Sequence, residues 1–167
     1  MPEPINFFRI AGEYFWLAAI LLSFVNEAIM WQRSASHRKR DPSVADGYRS
    51  LARGFLIWWN IPWLVMGVGI HFGGVPSVFH YLNLKTSNPY IIAFAASIVF
   101  LWISGSFWLF ARGGAEYLCR HPDFFKTGST NPNLIKLFWT ICVAGAVAAF
   151  AMMYFGQFTV PEFSRTA

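Results

Sequence analysis

Residues 89–110 read PYIIAFAASIVFLWISGSFWLF, from Pro89 to Phe110, with no charged side chain. At about 1.5 Å rise per residue, such a run crosses the roughly 30 Å hydrocarbon core of a bilayer as one α-helix. Asn88 and Pro89 open it. Asparagine is a good N-cap, and proline suits the first helical position, where its missing N–H costs nothing.

Three other stretches are predominantly apolar and long enough to cross as well, at about Ile10–Trp31, Gly54–Phe72 and Leu134–Phe155. The last is opened by Asn131-Pro132, the same punctuation as the third. The sequence therefore predicts an all-α polytopic membrane protein, a single four-helix transmembrane domain over residues 1–167 with spans 10–31, 54–72, 89–110 and 134–155. Composition agrees, since 56% of residues are apolar and 13% charged, against about 45–50% and about 25% in soluble domains. The eight Trp and eighteen Phe suit bilayer boundaries and packed helices. The leader before the first span carries Glu3 and Arg9 with no basic cluster or small-residue cleavage site, so it does not read as a cleavable signal.

Charge sets the orientation. Arg33, Arg38, Lys39, Arg40, Arg49 and Arg53 fall in the connection 32–53, and Arg112, Arg120, Lys126 and Lys136 in the connection 111–136. Only Arg9, Lys85 and Arg165 lie on the other side. The positive-inside rule makes the two basic connections cytoplasmic and puts both termini outside, in a cell membrane of the plasma or inner type. The outer connection begins Gly73-Gly74 and continues Val75-Pro76-Ser77-Val78-Phe79-His80-Tyr81-Leu82, apolar enough for a short interfacial helix. After the third span, Arg112-Gly113-Gly114 allows either an extension of the helix beyond lipid or a hinge at the glycines. No soluble basic domain remains to bind nucleic acid.

Ionisable and polar groups at membrane depth are the first candidates for function, because burying them in lipid is costly. Glu13 and Glu27 lie within about 40° of each other around the first helix. Glu13 is placed to pair with Arg9 one turn away. Glu27, beside Asn26, is expected to form a buried ion pair with Arg53 or Arg112, which fall at the same depth on the second and third helices. Asn60 and Pro62 interrupt the second span among Trp58, Trp59 and Trp63. Proline frees the Trp58 carbonyl and should kink the helix, with Asn60 bonding freed backbone or a neighbouring helix. On the fourth helix Ala144, Gly145, Ala148 and Ala149 repeat a small-xxx-small spacing that predicts close helix packing, within the chain or against a partner. Cys119 and Cys142 form no CxxC pair, and His37, His71, His80 and His121 show no metal or haem spacing, so no cofactor is expected.

Residues 120–128, Arg120-His121-Pro122-Asp123-Phe124-Phe125-Lys126-Thr127-Gly128, resemble the RHPxY…G segment of membrane-bound isoprenylcysteine and phospholipid methyltransferases. The resemblance implies S-adenosylmethionine bound on the cytoplasmic side. In that family a later acidic motif completes the cofactor site, whereas here only Glu162 follows, on the side predicted to be outer.

With no catalytic constellation and no nucleotide loop, the sequence favours a non-enzymatic accessory, assembly or structural subunit, whose partners are the lipid bilayer and other membrane subunits or further copies of itself. The alternative is a small homo-oligomeric channel or transporter lined by Asn60, Ser97, Ser104, Ser106 and Thr140, with Arg53 and Arg112 at its inner mouth. A methyltransferase-like enzyme is the second alternative.

Overall fold

The computed structural model describes residues 7–122, 124 and 130–156. Its α-helices are α1 (Phe7–Arg33), α2 (Ala35–Arg40), α3 (Ala45–His71), α4 (Pro89–Ala111), α5 (Gly114–Cys119) and α6 (Pro132–Phe155), and the described residues contain no strand. Four of them, α1, α3, α4 and α6, are long and apolar enough to cross a membrane. Their outward faces carry Leu21, Leu22, Ile57, Ile103, Phe138 and Ile141, all more than half exposed. Water would not tolerate such a surface, and lipid favours it. The chain is a membrane protein.

Local sequence explains the starts and stops. Asn88 Oδ1 accepts from the Tyr90 N–H at 2.9 Å, and Asn131 Oδ1 from the Asn133 N–H at 2.9 Å, each with proline at the first helical position. These satisfy N–H groups that a helix start leaves without partners. At the other end of α3, Gly74 takes φ 65°, and the Val75 N–H returns to the Gly69 carbonyl at 3.1 Å. A left-handed residue there lets the chain turn back, and Val75 is buried beneath the turn.

The basic connection 32–53 is more helical than its polarity suggests. Ser34 Oγ donates to the Trp31 carbonyl at 3.0 Å at the joint of α1 and α2, and Asp41 closes the corner by accepting from the Ser43 N–H and hydroxyl. Those two bonds hold the Asp41 carboxyl below the usual carboxylate range. A 3-10 turn, Pro42–Val44, leads into α3, which begins at Ala45 and not at Gly54. Its added turns face the bundle with Tyr48 and Ala52, both buried. In the other basic connection the chain hinges: Gly113 takes φ 73°, and α5 departs from the line of α4. The connection between α3 and α4 holds a 3-10 helix, Val78–Leu82, whose Tyr81 is buried.

Two apolar clusters form the interior. At the end that carries the basic connections, expected to be the inner one, Met30, Tyr48, Ala52, Leu109, Ala115, Leu118 and Phe124 gather, and at the opposite end, expected to be the outer one, Met66, Ile70, Val75, Tyr81, Ile91 and Phe94. Helices α1, α3 and α4 supply most of both. Helix α6 has no buried residue among those described and packs on α4 and α5.

Candidate functional site

Between the two clusters lies a polar contact. Asn60 Nδ2 donates to Ser23 Oγ at 2.8 Å and to the Leu56 carbonyl at 2.7 Å. The single Ser23 hydroxyl proton is shared between the Ile20 carbonyl at 2.7 Å and Asn60 Oδ1 at 2.9 Å. Both side chains are buried, so α1 and α3 are joined where lipid offers no competing hydrogen bond. Pro62 is buried two residues on, and α3 continues through it as helix. Asn60 therefore bonds both a neighbouring helix and its own, and the backbone oxygen it takes is that of Leu56. Ser23 was not anticipated. Asn26 is exposed on α1.

Toward the outer end, glycines on α3 admit large rings. Gly67 lies under the indole of Trp16, whose ring meets His71 edge-on at 5.7 Å. Gly69 lies under Tyr81, whose hydroxyl donates to the Met66 carbonyl at 2.9 Å. Burial pushes the Tyr81 phenol up to about 12, so it keeps the proton it donates.

The inner end holds the segment that resembles the methyltransferases. His121 is 5% exposed, with Nδ1 2.8 Å from the Tyr117 carbonyl. Its ring sits between Tyr48, edge-on at 4.8 Å, and Tyr117 at 4.6 Å, and its Nε2 side presses on Gly47. This histidine is a packing residue between α3 and α5. Arg120 is exposed, while Asp123, Phe125–Gly128 and Glu162 lie outside the described residues. Nearby, the Arg38 guanidinium stacks 3.4 Å over the Trp31 ring and donates to the Trp31 carbonyl at 2.7 Å.

The ion pairs fall elsewhere than expected. Glu27 is half-buried, Arg53 and Arg112 are exposed, and no salt bridge among the described residues joins them. Arg53 follows the buried Ala52, which turns it about 100° from the packed face of α3. Arg9, the expected partner of Glu13, has a side chain outside those described. Among the described residues the salt bridges are Asp46–Arg49 at 3.0 Å and Glu116–Lys136 at 2.9 Å.

The Lys136 hydrogen bond holds the Glu116 carboxyl below its ordinary value of 4.5. A carboxyl lowered by folding stabilises above its unfolded value, and the contribution is lost as pH falls through the folded one. Both ends are partly exposed, so the effect is small. On lowering the pH below about 4.5, the melting temperature in detergent should fall more steeply for the wild type than for Lys136→Met. Equal slopes would remove this pair from the account. The Cys119 thiol, on the same helix as Glu116, is pushed up by burial first and by the Glu116 charge second, which favours its protonated form.

The hydroxyls expected to line a pathway are spoken for separately. Ser97 Oγ donates to the Phe94 carbonyl, Ser104 Oγ to Phe100, and Thr140 Oγ1 to Lys136, each within its own helix. Ser106 Oγ accepts from Trp139 Nε1 at 2.9 Å, which ties α6 to α4 where the indole lies over Gly105. Beyond this tie an open apolar groove of about 520 Å³ runs between Val99, Trp102, Val147 and Phe150. On α6, Ala144, Gly145 and Ala148 are exposed, Ala149 is half-buried, and nothing lies within 4 Å of where a Gly145 Cβ would stand. The described residues contain no metal-binding group of His, Cys, Asp and Glu. No family model, curated protein or solved structure matches the chain.

Proposed function

We propose that this protein is a non-enzymatic subunit of a membrane complex that works by lateral association, with α6 as its partner-facing helix. The observation that carries the reading is the state of α6. The helix is held to the rest of the chain by the Trp139–Ser106 bond, the Lys136–Glu116 salt bridge, an edge-on contact of Trp102 with Phe150 at 5.0 Å and its packing on α4 and α5, while its small-residue face at Ala144, Gly145 and Ala148 stays open. Small residues let helix backbones approach closely in lipid, where dispersion and polar contacts replace the hydrophobic effect as the driving force. In this reading the basic connections are cytoplasmic, both termini are outside, and the Val78–Leu82 segment lies at the outer interface of a cell membrane.

The test is to purify the untagged protein in mild detergent and weigh what accompanies it. A foreign membrane subunit at fixed stoichiometry is expected, lost from Gly145→Leu without change in the melting temperature of the purified chain. A symmetric oligomer of this chain alone would overturn the reading in favour of the homo-oligomeric channel. S-adenosylmethionine binding that disappears in His121→Ala would overturn it in favour of the methyltransferase-like enzyme.

A further inference from the structure

Contacts between the long helices set their relative depths. Ser23 on α1 bonds Asn60 on α3, and the Trp58 ring, on α3, meets Phe100 of α4 at 5.9 Å. Trp139 of α6 bonds Ser106 of α4. Counting about 1.5 Å per residue from the Ser23–Asn60 level, Arg53 lies about 10 Å, Arg33 about 15 Å and Arg112 about 20 Å toward the inner end. Lys136 falls between Arg33 and Arg112. The half-thickness of a hydrocarbon core is about 15 Å; with the Ser23–Asn60 level taken as its middle, Arg33, Lys136 and Arg112 stand at headgroup depth, and Arg53, about 5 Å short of it, reaches it along its own side chain.

Three of these cations are unpaired among the described residues. Arg33, Arg53 and Arg112 are exposed, and their guanidinium groups have no hydrogen-bond or ion-pair partner among the described residues. Among the described acids at this end, Asp41 is bonded to Ser43, Asp46 to Arg49 and Glu116 to Lys136, and the half-buried Glu27 makes no salt bridge; Asp123 lies outside the described residues. Arg38 is spent on Trp31. Lys39 and Arg40, also exposed, lie further along α2, out in water.

We infer that Arg33, Arg53 and Arg112 form a collar that binds the phosphodiester headgroups of anionic phospholipids in the leaflet at this end of the bundle. The planar guanidinium fork matches two phosphate oxygens, and its long stem lets it reach the headgroup from a helix end while its methylenes stay in lipid. Headgroup depth separates this collar from the cations at the α2 tip, which meet only the diffuse surface potential. The collar is independent of whatever α6 binds.

The test uses the full chain in mixed micelles with phosphatidylglycerol, phosphatidylcholine or inorganic phosphate, reading retained lipid by native mass spectrometry and the melting temperature. Wild type should retain phosphatidylglycerol over phosphatidylcholine by at least about tenfold, given roughly fivefold for each basic residue near an anionic surface. The triple change Arg33→Gln, Arg53→Gln, Arg112→Gln should abolish that preference, and the tip variant Lys39→Gln, Arg40→Gln should keep it. Unchanged melting in phosphatidylcholine shows that the triple variant is folded. Should it fail to fold, the three single Arg→Gln variants, each expected to lose part of the preference, replace it. Equal retention of the two lipids, loss in the tip variant alone, or a preference kept by the triple and single variants would overturn the collar. A melting shift from inorganic phosphate equal to that from phosphatidylglycerol would reassign the site to free phosphate. A co-purifying protein lost from the triple variant with lipid retention unchanged would assign the arginines to a protein partner.

Discussion

Alanine at Gly69 is expected to lower the melting temperature of the purified protein by the equivalent of about 1–3 kcal/mol, the cost of forcing a methyl group into a closed contact. The new Cβ would fall on the Tyr81 hydroxyl and stand 2.9 Å from the Tyr90 Cβ. Tyr81 has little room to retreat. It is 2% exposed, its hydroxyl is held by the Met66 carbonyl at 2.9 Å, and its ring packs edge-on against Phe94 at 4.9 Å. The clash must therefore push the 3-10 helix Val78–Leu82 away from α3 and open the outer cluster. Tyr81→Phe removes the atom in the way, so Gly69→Ala should cost less on that background than on the wild type. A Gly69→Ala protein that melts with the wild type, or two variants whose costs simply add, would show that this contact is not closed.

The second large effect concerns charge at the centre of the bundle. Asn60→Asp keeps the shape of the side chain and replaces a donor with an acidic group. A charge at the bilayer centre costs about 2.5–3.5 kcal/mol on insertion scales. Asn60→Leu, in contrast, gives up the bond to Ser23, and interhelical hydrogen bonds in membranes average about 0.6 kcal/mol and reach about 1.7. Aspartate should therefore be the more damaging change, read both as melting temperature in detergent and as the fraction of protein inserted in membranes. Leucine equal to or worse than aspartate would mean that water reaches Asn60, contrary to its burial.

The spans were legible because an uncharged run such as 89–110 leaves little choice, and Asn-Pro marks two helix starts by a mechanism the structure reproduces in hydrogen bonds. The start of α3 at Ala45 was not, because hydropathy falls silent where a helix leaves lipid. The signal lay in the spacing of Tyr48 and Ala52, which puts one face toward the bundle. Asn60 announced itself as a polar residue within a span, but Ser23 did not, since a serine in a membrane helix can satisfy itself on its own backbone. Matching Glu27 with Arg53 and Arg112 used depth alone. Depth says nothing about which way a side chain turns around its helix, and Arg53 turns outward. The close approaches also went unread. Those at Gly67, Gly69 and Gly105 bring a large ring from elsewhere down on the glycine, whereas Gly145 in the stripe of small residues on α6 has nothing over it. A glycine's neighbours in sequence do not name the ring that will cover it.

The loose seating of α6 bears on the order in which the protein can be made. Helices α1, α3 and α4 emerge from the ribosome before α6, and together with the connection between α3 and α4 they contain the whole outer cluster and the Ser23–Asn60 pair. That portion can settle in the membrane before α6 leaves the ribosome. When α6 follows, it finds Gly105 and the Ser106 hydroxyl already presented by α4, and its Trp139 docks there without rearranging what came before.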